Sequence, residues 1–168
     1  MGNTVFKNVI VMFSDIAGST HLYELLGDRE AKRVVDSCMR VMMKICTDLS
    51  GKVIKTIGDE LMCCFNSAGQ AFTAALMMQR AISDDAALRN HHIALRIGFN
   101  SGTVIEENDD VFGDNVNIAA RVAGLAKAGQ ILTTVETIRQ LPLSSQAQAR
   151  PFLVTAVKGK HEQLDVWE

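Results

Sequence analysis

Two aspartates and a short glycine-containing loop are the residues of this chain best suited to chemistry. Asp15 closes an apolar stretch, and Asp59 follows Gly58 between two short β-rich runs. If those runs lie beside the first stretch, both carboxylates meet at one end of a sheet. Two carboxylates with few other protein ligands suit Mg²⁺, which keeps several waters and takes phosphate oxygens as further ligands. Directly after Asp15 comes Ala17-Gly18-Ser19-Thr20, a small-residue junction whose backbone N–H groups can face an anion. A cation site beside an anion-binding loop describes a polyphosphate site. Further along, Asn117 and Arg121 are four apart, so on a helix they share a face, and the arginine fork matches phosphate oxygens. Each residue also has an ordinary structural reading. Asp15 opens a turn, Asp59 accepts a tight one, Ser19 or Thr20 caps a helix, Asn117 is a cap and Arg121 a surface charge.

The elements that must position these residues are readable from periodicity. Lys7 to Ser14 is rich in Val, Ile and Phe and reads as a buried strand. From Asp28 to Leu49, Val34, Val35, Cys38, Val41, Met42, Ile45, Cys46 and Leu49 recur at threes and fours, the mark of an amphipathic helix. Lys52 to Ile57 and Glu60 to Phe65 read as a hairpin around Gly58-Asp59. Ala68 to Ala87 is helical by period and by its Ala and Met content. His92 to Glu106 reads as one or two strands, with Gly98 and Gly102 marking bulges or bends. Gly113 to Ala126 reads as a helix, Ile131 to Thr134 as a strand, Val135 to Leu141 as a short helix, and Pro151–Val157 with Gln163–Trp167 as a strand pair. The order implies an α+β fold with helices on one face of a mostly antiparallel sheet. No linker or repeat interrupts it, so residues 1–168 read as a single domain.

Composition removes several function classes. The chain has 168 residues, about one domain's worth. Its 48% apolar and 21% charged residues are those of a globular protein, not a disordered one. Seventeen Lys+Arg stand against 19 Asp+Glu, a net charge of -2; with no basic field, nucleic acid is not an expected partner. No apolar run approaches the ~20 residues of a spanning helix, so no membrane contact by this domain is expected. There is no basic-then-apolar leader, and Phe6 stands where an acylation signal after Met1-Gly2 wants Ser or Thr. Cys38, Cys46, Cys63 and Cys64 form no Cys-x-x-Cys pair and read as reduced core thiols, which points to the cytoplasm. His91 and His92 lack zinc-ligand spacing and read as solvated. Met39, Met42, Met43, Met62, Met77 and Met78 read as core and interface filling, and Asp84-Asp85 as loop charges.

Four segments together resemble the catalytic domain of the class III nucleotidyl cyclases. They are Phe13-Ser14-Asp15-Ile16-Ala17-Gly18-Ser19-Thr20, Lys55-Thr56-Ile57-Gly58-Asp59, Asp110-Val111-Phe112-Gly113 running into Val116-Asn117-Ile118-Ala119-Ala120-Arg121, and Val157-Lys158-Gly159-Lys160. They stand in the family's order and cover the chain almost end to end. The short stretch from Val104 to Asp110 resembles the bacterial-like subclass with a short dimerisation arm. The related diguanylate-synthesising fold carries a Gly-Gly-Asp/Glu-Glu-Phe hairpin; Ile57-Gly58-Asp59-Glu60-Leu61 stands here instead.

The resemblance implies a ferredoxin-like βαββαβ core with additional strands, and a head-to-tail homodimer whose active sites draw on both chains. It implies conversion of ATP to cyclic 3′,5′-AMP and pyrophosphate, a signal-transduction reaction, with two divalent cations per site, Mg²⁺ or Mn²⁺. Carried over by position, Asp15 and Asp59 match the metal-binding aspartates, and Gly18, Ser19 and Thr20 lie in the phosphate loop. Lys55 and Asp110 match the pair that selects the base. Asn117 and Arg121 match the pair that orients the ribose and stabilises the transition state. Lys158 matches the phosphate-binding lysine, with Lys160 as a second candidate. Guanylyl members usually carry Glu and a small residue such as Cys where Lys55 and Asp110 stand, so the implied substrate is ATP. A guanylate cyclase and a non-catalytic nucleotide-binding module are the alternatives, and a regulatory domain outside these residues is a possible further partner.

Overall fold

Two long strands form the spine, and their register is unbroken. β1 (Val5–Ala17) and β4 (Ala94–Glu107) pair antiparallel from Val5 opposite Glu106 to Ala17 opposite Ala94. Ile10, Met12 and Ile16 of β1 pack into one apolar layer, while Val9, Val11 and Phe13 pack into another. Successive side chains of a strand point to opposite faces, so both faces of β1 are covered and its sequence reads as a continuous apolar run without alternation. The computed structural model describes residues 4–168; the Met1-Gly2 start read above for acylation lies outside the described residues.

One face is covered by α2 (Asp28–Asp48) and α3 (Ala68–Asp84). Val34, Val35, Cys38, Met42 and Ile45 of α2 are buried at the three-and-four spacing, and so are Ala71, Ala74, Ala75 and Met78 of α3. Ser67 caps α3, its Oγ accepting from the Gln70 N–H at 3.2 Å. The hairpin of β2 (Lys52–Ile57) and β3 (Glu60–Phe65) turns at Gly58, whose φ is 61°. β3 lies along β1, which gives the order β2-β3-β1-β4. With α2 and α3 as the connections, this is the expected ferredoxin-like βαββαβ core. The sheet then continues through β6 (Ile131–Thr134), which is parallel to β4, to β8 (Gln163–Trp167) and β7 (Pro151–Ala156). β5 (Asp110–Phe112) pairs with the far end of β4. Short helices α1 (Ser19–Leu26), α4 (Ala86–Arg89), α6 (Val135–Ile138) and α7 (Leu143–Gln146) fill the connections.

Four details differ from the sequence reading. The opposite face of the sheet also carries a helix, α5 (Asp114–Leu125), whose Ala119 and Ala123 pack with Val9, Val11 and Phe13. Gly98 and Gly102 mark no bulge in the β1–β4 ladder; they make room for α5. A Cβ on Gly98 would overlap the Ala123 backbone, and one on Gly102 would overlap the Asn115 side-chain amide. The helix expected to reach Ala87 stops at Asp84, because Asp85 turns extended and caps α4, accepting from the Ala87 and Leu88 N–H groups at 3.0 Å. Neither Ser19 nor Thr20 caps α1: the cap is Gly18 in the left-handed conformation, φ 79°, with no side-chain bond.

All four cysteines are buried and unpaired. Of the methionines, Met39, Met42, Met62 and Met78 are buried, whereas Met77 is exposed. Among the described residues, no helix is long and apolar enough to cross a membrane.

The close approach of α5 gives a paired stability prediction. Gly98→Ala should push the helix off the sheet and lower the unfolding free energy by about 1–3 kcal/mol, the usual cost of overpacking. Gly69→Ala, in the first turn of α3 where a Cβ meets only Ser67 Oγ at 4.0 Å, should instead raise it by up to about 0.5–1 kcal/mol. Urea unfolding of both variants reads the difference, and a Gly98→Ala midpoint equal to wild type would contradict the contact.

Candidate active site

The sheet register sets three charged side chains in a row. Asp15 on β1 is the direct cross-strand partner of Glu60 on β3 and of Arg96 on β4, and directly opposed residues project on the same face. That face is the one α5 covers further along, since Phe13 and Met62 share its apolar cluster. The Arg96 guanidinium pairs with the Asp15 carboxylate. Asp59 stands in the β2–β3 turn, next to Glu60. Burial pushes the Asp15 carboxyl above its ordinary range, the Asp59 carboxylate pushes it further, and Arg96 opposes both. Glu60 is raised by burial and then by Asp15 and Asp59.

Arg96 thus pairs with one carboxylate of the group, Asp15, and its Nε is buried with no hydrogen-bond partner among the described residues. The raised Asp15 and Glu60 carboxyls are held near Asp59 with more negative charge than this one cation balances. Asp15 and Asp59 supply hard oxygen donors, which fit Mg²⁺ or Mn²⁺. The sequence reading passed over Arg96. The available signal was a lone cation in the apolar run Ile93-Ala94-Leu95-Arg96-Ile97, where a strand otherwise wants burial.

Beside this row, Ser19, Thr20, Tyr23, Lys32, Gly58 and Asp59 line a cavity of about 500 Å³. The left-handed Gly18 turns the chain out of β1 so that α1 begins at this cavity. Its hydroxyls are free of capping duty, and the first N–H groups of a helix have no intrahelical partner.

Lys55 and Asp110 come from elements far apart in sequence. Between β4 and β5, Asn108 and Asp109 have φ values of 52° and 61°, as a two-residue hairpin turn of this hand requires. That turn sets Asp110 opposite Glu107. Lys55 Nζ donates to Asp110 Oδ2 at 2.8 Å, and this bond holds the Asp110 carboxyl below its usual range. The neighbouring Asp109 instead pairs with Lys52 at 3.2 Å.

Asn117 and Arg121 lie on the outer face of α5, whose inner face is Asn115, Ala119, Val122 and Ala123. Both line a cavity of about 240 Å³ together with Asp114, Lys158 and Lys160. Arg121 donates to Thr155 Oγ1 on β7 at 3.3 Å. Lys160 donates to Asp114 at 2.6 Å, which ties the β7–β8 turn to the start of α5 and raises the lysine above its ordinary range. Lys158 makes no ion pair among the described residues. The chain thus assembles the sequence-derived residues in three groups: Asp15 and Asp59 with the loop, Lys55 with Asp110, and Asn117, Arg121 and Lys158. The cavity holding Asp59 and the cavity holding Arg121 share no lining residue.

Known proteins match this arrangement along its whole length. Residues 2–167 match the adenylate and guanylate cyclase catalytic domain. An adenylate cyclase of Streptomyces griseus is 31% identical over 137 residues, covering 82% of this chain and 33% of that protein. The chain spans 33–38% of the length of three adenylate cyclases it matches. Among solved structures, the adenylyl cyclase CyaB of P. aeruginosa superposes with a TM-score of 0.82 at 24% identity, covering 98% of this chain and 94% of that one. The guanylate cyclase domain of RhGC from Catenaria anguillulae, solved with GTP, gives 0.82 at 22% identity over 98% and 96%. These last two likenesses concern the fold, which adenylyl and guanylyl enzymes share. With the family's description matched almost from end to end, the chain belongs to the adenylate and guanylate cyclase catalytic domains.

Proposed function

We propose that this domain is an adenylate cyclase that converts ATP to cyclic 3′,5′-AMP and pyrophosphate at composite sites of a homodimer. The observation that carries the choice of ATP is the Lys55–Asp110 pair, a donor and an acceptor 2.8 Å apart. Adenine offers an amino donor at N6 and an acceptor at N1, so Asp110 accepts from the first and Lys55 donates to the second. Guanine reverses both, and mismatched buried polar groups reject a substrate by roughly 10⁴-fold in well-built sites.

In the reaction the ribose 3′-oxygen bonds to the α-phosphorus, the bond from that phosphorus to the pyrophosphate oxygen breaks, and the hydroxyl proton leaves to solvent. Divalent cations bound by Asp15 and Asp59 would supply the positive charge that acidifies the hydroxyl and balances the leaving pyrophosphate. The chain's own residues position and neutralise. The first N–H groups of α1, with Ser19 and Thr20, hold phosphate oxygens. Asn117 orients the ribose, Arg121 meets charge growing on the α-phosphate, and Lys158 binds the phosphate tail.

Two features support a site built from two chains. Lys55 and Asp59 are four residues apart on one hairpin, yet the first must meet the adenine edge and the second the phosphates at the other end of ATP. The cavities holding Asp59 and Arg121 are also separate within one chain. A two-fold dimer that brings each cavity to its complement on the partner gives two equivalent sites.

Three outcomes are expected. Purified chain given ATP or GTP with Mn²⁺ should form mainly cyclic AMP, with specific activity rising with protein concentration; cyclic GMP as the main product would overturn the base-pair argument. Arg121→Ala should lose about 10²–10³ in turnover while remaining folded and dimeric, by analogy with the removal of one oxyanion donor. Asp15→Ala and Asn117→Ala chains, each inactive alone, should regain activity when mixed under exchanging conditions, and no recovery would count against shared sites.

A further inference from the structure

Asn115 stands two residues before Asn117 on α5 but faces the other way, into the sheet. Its amide is gripped at both ends: Nδ2 donates to the Thr103 carbonyl at 2.8 Å, and Oδ1 accepts from Asn100 Nδ2 at 3.3 Å. Asn100 is itself buried, only 4% exposed, and its Oδ1 accepts from Thr134 Oγ1 at 2.7 Å. The Thr134 hydroxyl lies 2.9 Å from that of Thr137, which accepts from the Ser101 N–H at 3.0 Å. A chain of hydrogen bonds thus runs from β6 and α6, across β4, into the first turn of α5. Gly102 completes the cradle, because a Cβ there would occupy the place of the Asn115 amide.

The buried residues of the helix are Ala119, Val122 and Ala123, flanked by the partly buried Val116, Ile118 and Leu125. Contacts of such apolar groups are non-directional. Together with the Gly98–Ala123 approach they set how closely α5 lies on β4, and they constrain its rotation only through shape. The Asn115 amide is directional, since hydrogen bonds weaken steeply off axis, and it is joined to a buried, satisfied polar network of Asn100, Thr134 and Thr137, which specifies one arrangement.

We propose that Asn115 is a positioning residue that locks the rotation and register of α5 and so aims Asn117 and Arg121. Its kinetic consequence rests on the cyclase reading; its anchoring of the helix does not. A rotation of about 15° moves atoms at the rim of a helix roughly 5–6 Å in radius by about 1.5 Å. Misplacement of reacting groups by about 1 Å can cost roughly 10² in rate.

The test compares wild type, Asn115→Ala, Arg121→Ala and the double variant, with ATP and Mn²⁺ at a protein concentration that saturates the dimer. Asn115→Ala should lower kcat by about 10–100-fold while KM for ATP moves less than about threefold. Added to Arg121→Ala it should cost clearly less than on the wild-type background, because one of the two groups it aims is already gone. Equal losses on both backgrounds, or an unchanged kcat, would overturn the proposal. Native-state hydrogen exchange supplies a readout that needs no activity: amides of α5 should exchange at least about tenfold faster in Asn115→Ala, with β1 and β4 unchanged. Unaltered exchange in α5 would also overturn it. Should Asn115→Ala fail to fold, the near-isosteric Asn115→Asp, which loses the donor to Thr103, carries the same comparisons. A wild-type chain without turnover would count against the cyclase reading, and the exchange experiment would still decide whether Asn115 anchors the helix.

Discussion

The close seating of α5 on β4 is the constraint on which the arrangement of the domain depends. Two glycines make it possible. Gly98 faces Ala123 and Gly102 faces Asn115, so the helix runs antiparallel to the strand. The spacings agree: four strand residues rise about 13 Å, and eight helical residues rise about 12 Å. Without a Cβ at either point the helix backbone rests almost on the sheet, and the outer side chains stand at a depth set by the sheet itself. Asn117 and Arg121 are on that outer side. A helix held farther off by two ordinary side chains would carry them away from the β7–β8 turn, where Thr155 and Lys158 meet the same cavity.

The second organising fact is electrostatic. Across β3, β1 and β4 the sheet places Glu60, Asp15 and Arg96 in one row, with Asp59 at the adjoining turn. A core assembled for stability alone would not set Asp15 and Glu60 side by side at partly buried positions with Asp59 close by, where burial already disfavours the charged forms of the first two. Local rules are broken where function is served. Asp15 and Asp59 are hard oxygen donors of the kind a divalent cation takes.

How much of this was legible in the sequence depends on what kind of signal carried it. The β2–β3 hairpin was read with its observed bounds, because Gly58-Asp59 separates two β-rich runs. The face to which α5 docks was not legible. β1 is apolar at every position from Val9 to Phe13, so no alternation reveals that its two faces meet different helices. Gly98 and Gly102 were read as bends, since a glycine in a strand looks the same whether the backbone kinks or another backbone comes near. Arg96 was missed because its meaning lies in the register: only pairing with Asp15 separates it from an ordinary charge at a strand edge. The motif residues were visible by spacing, but their sorting into separate groups required the fold.

That sorting bears on how the two nucleotides of a composite dimer would be coupled. The hairpin carrying Lys55 and Asp59 is two strands of six residues joined by a tight turn. Lys55 pairs across it with Met62, and Ile57 with Glu60, so the hairpin moves as a unit. In the composite arrangement one end of it serves the base of one ATP and the other end serves the phosphates of the second. A ligand affects a distant site only through its differential contact with alternative positions of something rigid between them. Here the connecting element is short, paired without a break from Lys55 to Glu60, shifted in register between Val53 and Lys55, and tied by β3 to the spine of the sheet. Coupling between the sites would therefore pass through small shifts of this hairpin against β1, whose register fixes Asp15 opposite Glu60. In such a dimer the strand pairing that holds the domain together would also set how strongly one nucleotide senses the other.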